Sequence, residues 1–191
     1  SNLRRFNSAW PQVRLSIETG NSNELVRAVD NGALELTLST DQKIDRPHTT
    51  LFRDRLVWVG APDSDAHLDR PLSLAIGGRS CRFRPIVLDA LTAAGIEWRT
   101  MIEITNHEAM CAPVAAGLAV TVLLADSVPP NLTIIGPDAG LPPLPDFDIN
   151  LHLTRGDLCD LGRVLAQHVR ADFAARYGST LPRPAQISPA A

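Results

Sequence analysis

The sequence is poor in cysteine, and this shortage excludes several classes of protein. Its 191 residues include three cysteines, Cys81, Cys111 and Cys159, which are odd in number, widely spaced and without a C-x-x-C pair. This pattern argues against a disulfide framework and against a zinc site of closely spaced thiols. Scattered thiols of this kind fit a reducing compartment, so we expect the protein in a bacterial cytoplasm.

Positive charge and long apolar runs are also scarce. Lys43 is the single lysine, the arginines are scattered and the net charge is −3. A nucleic-acid-binding domain usually concentrates Lys and Arg on one face, so we expect that this segment does not hold DNA itself. No apolar run approaches the ~18–20 residues of a membrane span and no stretch resembles a signal peptide, so we expect no membrane partner.

Catalytic and cofactor motifs are missing as well. Gly77-Gly78 lacks the G-x-G-x-x-G pattern, and neither a P-loop, a G-x-S-x-G nor an H-E-x-x-H motif occurs. Glu18 and Glu103 occupy corresponding positions in two similar segments of the sequence. One interpretation is that they form an acid/base pair, and the other is that they lie on the polar faces of strands. We favour the second, and expect a protein that is not an enzyme and needs no metal or cofactor.

What the sequence does contain is a β-α-β pattern over residues 99–124. A β-prone run ends at Thr105, which has capping-box spacing with the glutamate three residues later. Gly117 is placed to end the helix, and an apolar run typical of a buried parallel strand follows it. Asn106 and His107 therefore lie at a helix N-terminus beyond the carboxyl end of a strand, where ligands of open α/β sheets bind.

Residues 13–38 repeat this plan. Val13–Ile17 alternate as a strand, Asn21 caps a helix, Gly32 ends it, and residues 34–38 alternate again. We expect two lobes of similar build, each directing a helix N-terminus at a shared cleft. Two neighbouring β-α-β units in a single sheet are the alternative that the pattern leaves open.

Two helix details follow from single residues. Pro113 falls inside the second helix of lobe two and removes a backbone hydrogen bond, which predicts a kink or a break. Asp157 is placed to cap the last helix, and Gly178 to end it.

The segments RRFNSAWPQVRLSIETGNSNELVRAVDNGALELTL, LVWVGAP, RPIVLDALTAAGIEW and PVAAGLAVTVL, in this order, resemble the effector-binding domain of LysR-type transcriptional regulators. The resemblance covers roughly residues 3–175, and Ala119 stands where the family usually has a second glycine. The stretch GLPPLPDFDINL, with RFRPIVLDAL, is most similar to the branch that includes repressors of motility and virulence genes.

This resemblance implies an α/β architecture of the type 2 periplasmic-binding-protein kind, with two Rossmann-like β-α-β lobes joined by two crossing strands. We expect lobe one over residues 1–58 and 150–178, lobe two over 59–149, and a disordered proline-rich tail over 179–191. The family's usual first strand of lobe one is not present in the sequence.

The resemblance also implies a function. A small polar or anionic effector is expected between the lobes, controlling DNA binding by an N-terminal winged helix-turn-helix domain that is absent from this segment. The family implies a homodimer or homotetramer. A free-standing periplasmic-type solute-binding protein is the alternative, and an enzyme on the same fold ranks third.

Candidate ligand-binding residues lie where the β-α units meet the presumed cleft. Family contacts carried over by position fall on Asn21, Thr40 and the loop 105–107, although helix capping alone also explains Asn21 and Thr105. Arg79, Arg82 and Arg84 are each suited to clamp a carboxylate, and we expect Arg82 or Arg79 to do so. The full predicted set is Asn21, Ser22, Ser39, Thr40, Arg79, Ser80, Cys81, Arg82, Thr105, Asn106 and His107.

Overall fold

A computed structural model of the chain describes residues 2–41, 46–103, 107–155 and 159–178. The chain divides into two compact units: the first contains the described residues up to Arg53 and those from Phe147 onwards, and the second runs from Asp54 to Asp146. The boundaries predicted from the sequence lie a few residues further along at both crossings. The predicted tail, residues 179–191, lies outside the described residues.

The first unit combines three helices with three strands. The elements are α1 (Asn2–Ala9), α2 (Ser22–Asp30), β1 (Leu36–Asp41), the start of β2 (Thr49–Gly60), most of β7 (Asp146–Leu153) and α5 (Asp160–Tyr177). In the sheet of this unit, β7 lies between β1 and the start of β2.

The core of the first unit forms where α5 packs against the sheet. Leu51, Leu151 and Ala166 are buried together, with Phe52 and Phe173 packed at their margin. Burial of these side chains supplies the hydrophobic stabilisation that holds the helix on the strands. The strand β1 pairs with β7 in antiparallel fashion over its whole length.

The predicted strand over Val13–Ile17 is not formed. Residues 13–21 have no regular secondary structure, and Ile17 is 70% exposed. Alternation of apolar residues makes a strand only where a neighbour supplies hydrogen bonds and a core covers one face. Within the described residues no strand pairs with this segment. The alternation of apolar residues over 13–17 therefore does not produce a strand.

The second unit contains a parallel β-α-β arrangement in which α3 connects β3 and β4. Its strands β3 and β4 pair in parallel, with Leu72 opposite Trp98 and Ile76 opposite Glu103. The elements are the remainder of β2, β3 (Leu72–Ile76), α3 (Phe83–Ala93), β4 (Trp98–Glu103), α4 (His107–Ala115), β5 (Thr121–Leu124) and β6 (Thr133–Ile134).

The strand β5 departs from the expected parallel sheet. It pairs antiparallel with β2, and the parallel contact to β3 is a single bridge between Leu74 and Val120. The apolar run is nevertheless buried, since Ala119 and Leu123 share a core with Val59 and Val114. A mixed arrangement buries such a run as well as a parallel sheet does.

Two helix details differ from the prediction. The helix α4 continues past Pro113 to Ala115, so the predicted break does not occur and the predicted kink stays a prediction. The cap of α5 is Cys159, whose Sγ accepts a hydrogen bond from the Gly162 N–H at 3.2 Å. Asp157, the predicted cap, lies outside the described residues. A thiol is a weak acceptor, which is why sequence reasoning passed over it in favour of the nearby carboxylate.

The strands β2 and β7 each continue from one unit into the other, as the resemblance implied. In the second unit, the Asp54 carboxylate accepts hydrogen bonds from the backbone N–H groups of Arg55 and Asp126. These bonds satisfy a buried charge at the point where β2 enters this unit. No helix of the described residues is long and apolar enough to cross a membrane.

Candidate functional site

In the first unit, four predicted site residues gather where α2 begins and β1 ends. The Asn21 side chain accepts a hydrogen bond from the Glu24 N–H at 3.1 Å, which caps α2 as predicted. The Ser22 hydroxyl accepts a hydrogen bond from the Thr40 N–H at 3.3 Å. The helix N-terminus is therefore tied directly to the carboxyl end of the strand. Asn21, Ser22 and Thr40 are half-buried, and each keeps part of its surface exposed.

Ser39 takes a different position from its neighbours. It is 2% exposed, and its hydroxyl shares a 2.8 Å hydrogen bond with Nε2 of His152, which is equally buried. A side chain with so little accessible surface cannot itself make broad contact with a ligand. Ser39 instead holds β1 to β7 directly behind Thr40.

His152 belongs to a buried polar face that sequence reasoning missed. Asn150 lies two residues before it on β7, and its Oδ1 accepts a 2.8 Å hydrogen bond from the Thr50 hydroxyl. Thr37, opposite His152 on β1, is also buried. The alternation of Asp148, Asn150 and His152 in the sequence was the available signal, because period-two polar residues in a strand mark one face.

In the second unit, a tight loop between β3 and α3 carries four more of the predicted residues. The Cys81 N–H donates to the Gly78 carbonyl at 2.9 Å, which closes the turn. A Cβ at Gly77 would lie 2.5 Å from the Cys81 Cβ, so only glycine allows this approach. Arg79, Ser80 and Arg82 are exposed, whereas Cys81 is half-buried against Gly77.

Arg84, in the first turn of α3, turns inward. Its Nη1 donates to the Gly77 carbonyl at 2.9 Å and lies 2.8 Å from Oε2 of Glu103. Because β3 and β4 are parallel and in register at Ile76 and Glu103, their carboxyl ends adjoin, and one guanidinium reaches both. Its side chain is 20% exposed. Arg79 and Arg82, which the sequence analysis favours for clamping a ligand carboxylate, are exposed, and their role in binding stays a prediction.

The remaining predicted residues follow β4. Thr105 and Asn106 lie outside the described residues, and the side chain of His107, the first residue of α4, is not described. The helix α4 is described from His107 onwards, so the predicted cap at Thr105 stays a prediction. Glu103, the last residue of β4, is paired with Arg84, which accounts for its place at the edge of the strand.

Among the described residues, no group of three His, Cys, Asp or Glu side chains is arranged to hold a metal ion. The candidate site residues supply hydroxyl and amide groups in the first unit and a guanidinium in the second. These groups suit recognition of a polar or anionic small molecule by hydrogen bonds.

A family model described as the LysR substrate binding domain matches residues 2–175. The chain belongs to this family. The family assignment made from the sequence motifs is thus confirmed.

Two relatives of this LysR-family domain are transcriptional regulators. It is 31% identical over 144 residues to the HTH-type transcriptional regulator PecT of Dickeya dadantii (strain 3937), covering 75% of this chain and 46% of PecT. It is 31% identical over 170 residues to the HTH-type transcriptional regulator DgdR of Burkholderia cepacia, covering 88% of this chain and 58% of DgdR. The chain spans about half the length of these relatives.

Solved structures of LysR-type domains have the same fold. The regulatory domain of Synechocystis PCC6803 CcmR in complex with 2-PG has a TM-score of 0.68 at 15% identity, covering 90% of this chain and 89% of that one. The BenM effector-binding domain with its effector benzoate has a TM-score of 0.64 at 17% identity, covering 95% and 88%. The expected type 2 periplasmic-binding-protein-like fold is confirmed by this likeness, which at such identities concerns the fold alone.

Proposed function

We propose that this chain is the effector-sensing domain of a cytoplasmic LysR-type transcriptional regulator. The observation that carries the proposal is the family match over residues 2–175, together with 31% identity to two HTH-type transcriptional regulators. In the full-length regulator, DNA would be bound by a winged helix-turn-helix domain outside this chain. A homodimer or homotetramer is the expected assembly, and motility or virulence genes are the expected targets.

The proposed ligand is a small polar or anionic metabolite. Its hydroxyl or carbonyl groups would meet Asn21, Ser22 and Thr40 in the first unit, and its charge would meet the arginine-rich loop of the second. Residues 105–107 complete the proposed set. That both sets face a shared cleft remains a prediction from the sequence. Tighter binding of the effector to one arrangement of the regulator would shift its DNA-binding equilibrium.

DNA footprinting of the full-length regulator tests the regulatory role. We expect protection of a specific DNA site, and a change in that protection when an effector is added. Benzoate and shikimate serve as first probes, since structural neighbours were solved with them. An upstream reading frame that encodes a signal peptide instead of a helix-turn-helix would favour the solute-binding alternative.

Calorimetric titration of variants tests the placement of the site. Thr40→Val removes one hydroxyl at constant shape, and we expect it to weaken effector binding about tenfold. Thr133→Val, at an exposed position of β6, is the matched control and should bind as the parent does. Equal affinity of the Thr40 variant and its control would contradict the site in the first unit.

A further inference from the structure

The sequence contains a single Asn–Gly pair, Asn31-Gly32, and the pair lies where α2 ends. Both residues are exposed, and nothing lies within 4 Å of the position that a Cβ of Gly32 would occupy. A backbone nitrogen attacks the preceding asparagine side chain most readily when it belongs to glycine, because no side chain hinders the approach. The pair and its open surroundings therefore make Asn31 a candidate for spontaneous modification.

The reaction converts the Asn31 side chain to a cyclic imide and then to an acid. The Gly32 nitrogen loses its proton to solvent and forms a bond to Cγ of Asn31, and the side-chain nitrogen takes up a proton and leaves as ammonia. Water then adds to either carbonyl of the five-membered ring and opens it, which gives aspartate or isoaspartate at this position. The reaction consumes one water and releases one ammonia, and it needs no oxidant or reductant.

The folded chain holds this pair in a conformation that is unsuited to ring closure. At an Asn31 ψ of 2°, the Gly32 nitrogen eclipses the Asn31 nitrogen and points away from the Asn31 side chain. The Gly32 N–H donates to the Val29 carbonyl at 3.2 Å, and Oδ1 of Asn31 accepts from the Ala33 N–H at 3.1 Å. Ring closure requires rotation about the Asn31 Cα–C bond, and this rotation breaks the hydrogen bond of Gly32.

The turn that ends α2 is a part of the fold that opens easily. The N–H groups of Ala33 and Leu34 both donate to the Ala28 carbonyl, at 2.8 and 3.0 Å, and these bonds hold the turn closed. Asn31, Gly32 and Ala33 are exposed, so opening of the turn removes few apolar contacts. Helix ends open at low free-energy cost for this reason. A small open population therefore gives the Gly32 nitrogen access to the side chain.

We propose that Asn31 is a deamidation site whose rate is set by opening of the α2 C-terminus. The inference goes beyond the proposed regulatory function and does not depend on it, because it follows from the chemistry of the pair and from the hydrogen bonds around it.

The product fits the end of α2 less well than Asn31 does. A carboxylate at a helix C-terminus opposes the helix dipole. Here it also stands next to Asp30, which already pairs with Arg46 at 2.7 Å. The isoaspartate form adds a methylene group to the backbone and displaces the N–H groups that donate to Ala28. Each event therefore adds one negative charge and loosens the junction between α2 and β1.

Peptide mapping of the native chain by mass spectrometry tests the site. Trypsin releases residues 28–43, in which Asn31 is the only asparagine. On incubation in neutral buffer, this peptide should gain one mass unit before the peptides that contain Asn21 and Asn131, since serine and leucine follow those residues and hinder attack. In guanidinium chloride the same peptide should react about ten to a hundred times faster, because the turn is open throughout.

Glycine substitutions in two helices test the role of opening. Ala28→Gly weakens the last turn of α2 and should raise the rate at Asn31 about threefold to fivefold in the native chain, with no change in guanidinium chloride. Ala93→Gly makes the same change at the last residue of α3 and is the matched control. Asn31→Gln keeps an amide but would have to form a larger ring, so its peptide should stay unmodified in both conditions.

The effect of the added charge is tested by Asn31→Asp, which supplies the carboxylate without the extra methylene group. Its melting temperature should lie about 1–4 °C below that of the parent chain. A parent chain aged until it is rich in isoaspartate should melt lower still. An Asn31→Asp variant and an aged chain that both melt as the fresh parent does would contradict the loosening.

Three mapping results would overturn the inference. The first is a native chain in which residues 28–43 stay unmodified while the denatured chain reacts. The second is an equal rate in the native and denatured chains, and the third is an Ala28→Gly variant that reacts no faster than the Ala93→Gly control. The regulatory function would stand in each case, because DNA footprinting tests it separately.

Discussion

In the second unit β3 and β4 pair in parallel around α3, whereas in the first unit the segment before α2 pairs with no described strand. The predicted site residues of the two units also differ in their chemistry. Asn21, Ser22 and Ser39 of the first unit form hydrogen bonds of neutral groups within the protein. In the second unit the loop before α3 carries two exposed arginines, and Arg84 in α3 forms an ion pair with Glu103.

The largest expected effect compares packing in the two units. Leu91 on α3 is fully buried, and Leu91→Ala should reduce the free energy of unfolding by about 2–5 kcal/mol through lost burial and a cavity. Ile17→Ala, in the unpaired segment of the first unit, should change it by less than about 0.5 kcal/mol. Urea unfolding checks both. A large loss in the Ile17 variant would mean that this segment is packed in solution.

A smaller loss is expected from the loop of the second unit. Gly77→Ala places a Cβ 2.5 Å from the Cys81 Cβ, and the strain should cost about 1–3 kcal/mol. Gly136→Ala is the control, because nothing lies within 4 Å of its Cβ position and its φ of −67° suits alanine. Thermal unfolding of both variants measures the difference. Equal melting temperatures would show that the loop rearranges without strain.

The buried polar face of the first unit should respond to a single hydroxyl. Ser39→Ala removes the group that hydrogen-bonds Nε2 of His152 in a buried setting, and we expect a loss of about 1–3 kcal/mol in unfolding free energy. Ser16→Ala, at an exposed position, should be neutral. Stability of the Ser39 variant equal to the parent would indicate that water replaces the hydroxyl.

The smallest expected effect concerns the helix cap beside that face. Asn21→Ala removes the acceptor for the Glu24 N–H and should cost about 1 kcal/mol. Asn21→Asp retains an acceptor oxygen and should lie within a few tenths of a kcal/mol of the parent. Unfolding of the two variants in urea separates the cap from other roles of this residue. Equal losses in both would show that the amide N–H₂ matters instead.

Local sequence signals predicted the starts and ends of helices well, because the hydrogen bonds involved form between residues close in sequence. Asn21 caps α2, and Gly32, Gly117 and Gly178 take the positive φ values that end helices. These outcomes depend on hydrogen bonds within a few residues, which the sequence specifies directly. The strand predicted at Val13–Ile17 failed for the opposite reason, because a strand needs a partner remote in sequence.

Among the site residues, too, positions that depend on local spacing were predicted, and positions that depend on strand register were not. Spacing placed Asn21 and Ser22 at a helix start, and the structure ties them to Thr40 through one hydrogen bond. Spacing did not distinguish Arg84 from Arg79 and Arg82. That choice depends on the parallel register of β3 and β4, which brings Glu103 within reach of the Arg84 guanidinium, whereas Arg79 and Arg82 are exposed.

The sequence by itself determined the family, most of the helices with their caps, and the residue types available for recognition. Periodicity and caps are short-range properties, and the motifs of the family are linear. Only the tertiary structure decided which polar groups are buried, as with Ser39 and His152, and which charge turns inward, as with Arg84. Burial and pairing depend on strands distant in the chain meeting in a particular register, and a linear pattern does not contain that information.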